Sequence, residues 1–376
     1  MSKLQHTLLS PELPWSHQKI QSGSCSIATR TLHGGTSEGV QVVDLYNGPL
    51  SLSILPTRGM GIWQGKFHDL PLGWKSPVTR PVHPAFVQLT ARNGLGWLNG
   101  FNELLCRCGL ATHGPPGNDA GEQVTLHGRI ANLPAHQVEL ELDDAGSETL
   151  ELRGVVDETT VFGNCYRLVS TLRTAAGSNR VAIIDDVTNL GARPAPLAML
   201  YHINVGEPFL AAGSTVNVPS RDIAPRDAQA AASKLPWSQY AGPVAGFAEE
   251  VFFFAPLSDA DGWCTTLLKT AANDAAFAVR FRTDSLPWFT LWKNTQGLEE
   301  GYVTGLEPGT GFPNYGSIER GHGRQPVLAP GQTIRFEMEL IVADNSQDLA
   351  RLQAAAAECQ GTIPQTVHSS PLTQWP

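Results

Sequence analysis

Residues 137–142 read QVELEL, with Val138, Leu140 and Leu142 alternating against Gln137, Glu139 and Glu141. Successive side chains of an extended strand point to opposite faces, so this stretch has one apolar face and one wet face. The same period returns along the chain. Leu50, Leu52 and Ile54 alternate with Ser51 and Ser53, Phe277, Val279 and Phe281 with Ala278, Arg280 and Arg282, and Phe336, Met338 and Leu340 with Arg335, Glu337 and Glu339. Half-buried strands joined by short turns form antiparallel sheets, and two such sheets must cover each other's apolar faces. The expected fold is all-β and mainly antiparallel: a large β-sandwich with few short helices.

Composition agrees with that reading. Gly 37 and Pro 27 together make about 17% of 376 residues, and charged residues only 16%; averages are about 12% and about 25%. Long helices would be interrupted by the first excess and would lack solvent-facing charge through the second. A hydrophobic content of 41% with nine Trp supplies a core and excludes wholesale disorder. The net charge of −9, with no run of four Lys or Arg, argues against nucleic acid as the partner and favours a neutral or cationic small molecule. No stretch approaches 18 consecutive apolar residues, and the opening MSKLQHTLLSPELPW lacks the apolar segment of a signal peptide. With six Cys and no N-x-S/T sequon, the expectation is a cytoplasmic protein without a membrane partner. Sandwich edge strands leave a homodimer open.

The alternation resumes on both sides of every candidate boundary. That predicts an N-terminal extension over residues 1–20, one sandwich domain over 20–345, and a helix and tail over 346–376. Ser346 reads as the cap of a helix running to residue 359, with Leu349, Leu352, Ala356 and Cys359 on one face and Gly361 past its end. A short helix is expected around residues 98–106, and the closing TVHSSPLTQWP reads as weakly ordered.

Four stretches break the binary pattern and so become candidate functional loops. They are PTRGMGI at 56–62, NGLGWLNGFNELLCRCGLATHGPP at 93–116, LHGRIANLPA at 126–135 with YHINVGEP at 201–208, and LWKNTQGLEEGYVTGLEPGTGFPN at 291–314. Aromatic platforms beside amide, imidazole and carboxylate groups suit a polyhydroxylated ring, whose C–H faces stack while its hydroxyls take hydrogen bonds. The G-x-G within GLGWLNG has no βαβ surroundings, and no Walker A, G-x-S-x-G or H-E-x-x-H pattern occurs. Cys106 and Cys108, followed by His113 and His127, lack the usual zinc spacing, so no metal and no cofactor is expected.

Four ordered elements, LHGRIANLPA, YHINVGEP, AEEVFFF at 248–254 and LEPGTGFPN at 306–314, make residues 40–345 resemble the aldose 1-epimerase (galactose mutarotase-like) superfamily, and more closely its DUF4432 branch. His202 is followed by Ile-Asn where galactose mutarotases have Pro-Tyr, and LCRCGLATHG is a feature of the divergent branch. The resemblance implies an isomerase that interconverts sugar anomers, with Glu307 as base, His202 as acid and His127 binding the sugar or sharing the acid role. A base takes the anomeric hydroxyl proton while an acid protonates the ring oxygen; the ring opens, the aldehyde rotates, and closure gives the other anomer.

Each of these residues has a plainer reading. Glu307 precedes Pro308 in a Gly-rich turn and could bond turn amides, while His202 lies in an apolar run and, like His127, could be a structural histidine. The further substrate-binding candidates are Arg58, Trp97, Asn102, Glu249 and Lys293; His113 reads as structural. If Arg58 and Lys293 both faced the pocket, a phosphorylated or carboxylated sugar would follow. The competing functions are a non-catalytic carbohydrate-binding protein and another sugar-active enzyme, such as a lyase or glycosidase, on the same fold.

Overall fold

The structure, a computed structural model, describes residues 3–143 and 148–375. Two large, mainly antiparallel sheets pack face to face. One has nine strands, in the order Lys3–Leu9, Gln137–Asp143, Thr149–Thr159, Cys165–Ala175, Arg180–Asn189, Thr333–Ala343, Ala276–Arg282, Trp263–Lys269 and Thr215–Asn217. The other has thirteen, and its centre runs Gly61–Phe67, Leu105–Leu110, Ala198–Val205, Val303–Gly309, Trp288–Asn294 and Glu250–Pro256. The predicted alternation sets which side chains enter the sandwich: Val138, Leu140, Leu142, Leu152, Leu168 and Ile183 from one sheet meet Met199, Tyr201, Ile203, Leu291 and Leu306 from the other.

The core also holds a charged network. Arg107 donates through Nε and Nη2 to the two carboxylate oxygens of Asp185 at 2.5 and 3.0 Å, and through Nη2 to Ser170 Oγ at 2.7 Å. Its Nη1 donates to the Met60 carbonyl at 2.9 Å, and the Tyr201 hydroxyl donates to Asp185 at 2.7 Å. Arg107 and Tyr201 belong to the thirteen-stranded sheet, Asp185 and Ser170 to the nine-stranded one, so the network ties the layers together. Strands such as Leu105–Leu110 and Ala198–Val205 are buried on both faces, because loops cover the outer face of their sheet.

Several local expectations change. The residues of the N-terminal extension include an edge strand, Lys3–Leu9, paired antiparallel with Gln137–Asp143. The C-terminal helix runs Ser346–Gln360, but its cap is Asn345, whose side chain accepts from Asp348 N at 3.0 Å. Leu349, Leu352 and Ala356 cover Ala276, Ala278 and Ile341 on the outside of the nine-stranded sheet. In place of a helix over 98–106 there is a 3-10 turn, Gly96–Gly100, followed by the strand Leu105–Leu110. The final segment packs against the molecule: Arg324 donates to the Gln374 carbonyl at 2.7 Å, and Trp375 lies 5.4 Å from Phe312, ring centre to ring centre.

Candidate active site

Directly opposed residues of an antiparallel pair share a sheet face, so register decides which side chains meet. Cys106 lies opposite His202 and Thr290 opposite Glu307. The pairing of Leu200 with Gly309 and of Ile203 with Leu306 sets His202 beside Glu307. One row across four strands therefore reads Cys106, His202, Glu307, Thr290. The next row holds Asn204, Gly305, Trp292 and Val251. Both rows face outward, away from the sandwich core.

Loops roof these rows to leave a cavity of about 280 Å³. Trp97, Phe101 and Trp292 form aromatic walls; His127, His202, Glu307 and Thr290 supply polar atoms, and Glu249 and Arg226 also line it. His202 Nε2 lies 3.2 Å from Glu307 Oε1, and the rings of His127 and His202 meet edge to face at 5.4 Å. Glu307 Oε1, beside His202, and Thr290 Oγ1 are buried without an aligned hydrogen bond, so their bonding capacity is not used up within the protein. A wider cleft of about 800 Å³ lies beyond the His127 loop, lined by Arg129, Glu158 and Phe162 among others; no imidazole or thiol borders it.

The tautomer of His202 is set by its neighbour. Asn204 Nδ2 donates to the Glu103 and His202 carbonyls at 2.9 and 3.2 Å, so its Oδ1 faces His202 Nδ1 at 2.7 Å. Carbonyls only accept, hence Nδ1 carries a proton and Nε2 is the atom that exchanges one with Glu307. Burial pushes the Glu307 carboxyl well above the usual carboxylate range, with the charge on His127 opposing; burial pushes His202 well below the usual imidazole value, with His127 adding to the effect. Both directions favour the uncharged forms, a carboxylic acid beside an imidazole whose Nε2 is free to accept.

Of the binding residues expected from sequence, Trp97 and Glu249 line the cavity. Glu249 accepts from Trp292 Nε1 at 2.7 Å and from Arg226 Nη2 at 3.0 Å. Arg58, Asn102 and Lys293 do not belong to the site. Arg58 is buried in a loop network, donating to Glu103, Asn132 and the carbonyls of Val82 and Gly100 at 2.5–3.0 Å. Asn102 donates to the Val78 carbonyl at 2.9 Å and is buried rather than at a rim. Lys293 follows Trp292 by one residue and so takes the opposite face, where it donates to the Gln239 carbonyl at 2.8 Å near Glu250. Sequence reading missed Arg226, Thr290 and the role of Asn204; only the i, i+2 spacing from His202 hinted at the last.

The mainly antiparallel two-sheet sandwich is that of galactose mutarotase-like proteins. The chain belongs to the DUF4432 family, described as a domain of unknown function, which matches residues 37–342. Among solved structures it is 33% identical to a provisionally assigned aldose 1-epimerase of Klebsiella pneumoniae subsp. pneumoniae MGH 78578, covering 99% of this chain and 100% of that one with a TM-score of 0.96. A galactose mutarotase-like protein of Clostridium acetobutylicum is 16% identical, with coverages of 85% and 98% and a TM-score of 0.58. For a galactose 1-epimerase of Lactobacillus acidophilus NCFM the values are 12%, 88%, 100% and 0.51; this likeness is one of fold alone. None of the curated proteins matches this sequence.

Proposed function

We propose that the chain is an aldose 1-epimerase-type isomerase that interconverts the anomers of a neutral sugar. The observation that carries this reading is the meeting of Glu307 and His202 at 3.2 Å beside His127 in one roofed cavity. The 280 Å³ volume lies just below the roughly 300–1,000 Å³ of drug-sized sites, which suits a single ring. Arg58 and Lys293 face elsewhere, and Arg226 is matched by Asp227 and Glu249, so among the described residues the lining offers an acidic sugar no unpaired Lys or Arg.

The protonation state of the site supports the chemistry. Sugar hydroxyls that hydrogen-bond the Glu307 carboxylate favour transfer of its resting proton to His202 Nε2. The freed carboxylate takes the anomeric proton, His202 gives its own to the ring oxygen, and the ring opens. After rotation the transfers reverse and the site regains its starting state. Each positioned transfer contributes about 10²–10⁴-fold. Anomer exchange followed by NMR across a panel of neutral and acidic aldoses tests the reading. Glu307→Gln and His202→Asn are expected to lose about 10²-fold or more while still binding. A sugar that binds without any acceleration by the unaltered protein would leave a carbohydrate-binding protein instead.

A further inference from the structure

Thr290 carries a hydroxyl into surroundings that are mostly aromatic. The residue is 1% exposed, and its Oγ1 has no hydrogen-bond partner within the protein. Its neighbours on the outward face follow from register and from the two-residue repeat of a strand. Along the strand they are Trp288 and Trp292; across it they are Glu307 on one side and Phe253 on the other. Phe253 is stacked on Phe312 at 4.1 Å, ring centre to ring centre, Trp288 packs on Phe312 and Trp375, and Trp292 Nε1 is committed to Glu249 at 2.7 Å. The Glu307 carboxyl turns Oε1 towards His202 at 3.2 Å. Valine has nearly the shape of threonine and would fill the same place without an unpaired polar atom. A buried hydroxyl left unpaired is a cost that a bound ligand removes, and the space that Thr290 borders is the cavity.

The order of the row decides which part of a sugar reaches that hydroxyl. Glu307 stands between His202 and Thr290, each on its own strand. In the proton transfers above, Glu307 takes the proton of the anomeric hydroxyl and His202 delivers one to the ring oxygen. The anomeric carbon then lies over Glu307 with the ring oxygen towards His202, and its other ring bond, to C2, runs the opposite way, towards Thr290. Neighbouring strands lie about 4.8 Å apart, a step that the edge of one sugar ring spans. We propose that Thr290 is the specificity residue for the hydroxyl at C2: its Oγ1 hydrogen-bonds that group, so the substrates are aldoses with a free C2 hydroxyl rather than 2-deoxy sugars. This deepens the anomerase reading and rests on it for the orientation of the ring. A threonine hydroxyl both donates and accepts, so it pairs with the C2 group whichever way that group's own hydrogen is directed. Of the four side chains around Thr290 on the sheet, three are aromatic and the fourth, Glu307, is engaged with the anomeric hydroxyl.

The test compares sugar pairs that differ only in the C2 oxygen: D-glucose with 2-deoxy-D-glucose, D-galactose with 2-deoxy-D-galactose, and D-ribose with 2-deoxy-D-ribose. Anomer exchange followed by NMR gives kcat/KM for each member, and ligand-detected NMR titration gives Kd. Both are measured on the full chain, unaltered and as Thr290→Val and Thr290→Ser. The unaltered protein should prefer the 2-hydroxy member of a pair. Thr290→Val should cut that preference about 5–30-fold, the worth of one hydrogen bond, because the C2 hydroxyl then meets a methyl group, whereas Thr290→Ser should keep it. A preference that survives in Thr290→Val would overturn the proposal. So would a loss of equal size on both members of a pair, which would mark Thr290 as a packing residue. Binding without anomer exchange by the unaltered protein would overturn the enzymatic reading, while the same ratios of Kd would still decide for or against Thr290.

Discussion

At His202 the decisive neighbour is Asn204, a side chain that does not line the cavity. Its amide is oriented by two backbone carbonyls, and its oxygen then dictates which imidazole nitrogen carries the proton. Replacing it by Leu keeps approximate bulk but frees the ring to adopt the other tautomer. The expected result is a fall in kcat of about 10–100-fold with KM little changed, since a hydrogen bond to a group that becomes charged is worth about 1.5–3 kcal/mol. Steady-state anomer exchange checks this; an unchanged kcat would show that His202 needs no such support. His113 is the other informative histidine. Neither ring nitrogen has a partner, and burial, aided by the charge on His127 and opposed by Glu319, lowers it to about 4. Its folded value lies below its ordinary 6.5, so the unfolded chain takes up the proton first. Stability from this group is therefore complete above about pH 6.5 and is lost as pH falls towards 4, by at most about 3 kcal/mol. Urea unfolding of His113→Leu over that range should show a flatter pH dependence than the unaltered chain.

At the scale of the strand, the site is a grid written by register. Gly305 lies two residues before Glu307 on the same face, and a methyl group there would come within 2.2 Å of Glu307 Oε1. The carboxyl end is the part that gives way. Gly305→Ala should leave the melting temperature nearly unchanged and reduce anomer exchange about as far as Glu307→Gln does; full activity in this variant would mean that the carboxyl has a second productive position. The same grid explains what could be read in the sequence and what could not. Period-two alternation located the strands, and the order of the His-Gly, Tyr-His and Leu-Glu-Pro segments pointed to His127, His202 and Glu307. Lys293 and Trp292 are adjacent, so a one-residue choice sends one into the cavity and the other behind it. Thr290 and Arg226 gain their meaning from neighbours in space that lie 17 and 23 residues away, at Glu307 and Glu249.

For the whole molecule, the Arg107–Asp185 pair is a charged tie between two apolar layers. Removing one partner leaves a charge in the core. Arg107→Met should cost about 3–5 kcal/mol in urea unfolding, and adding Asp185→Leu should recover much of it, as matched removal of a buried pair often does. A cost that stayed the same in the double variant would assign the loss to packing alone. Because Arg107 stands between Cys106 and Cys108 on one strand, the same tie holds the two thiols on the cavity side.

By itself the sequence determined the strands and the two-layer packing they require, and it named Glu307, His202 and His127 as candidates for moving protons. These follow from alternation and residue chemistry, which are local. Only the tertiary structure decided that Arg58 and Lys293 face away and that Asn204 sets the tautomer of His202. Those facts depend on register and on loop closure over the sheet, and a one-residue shift in either would exchange the buried face for the functional one.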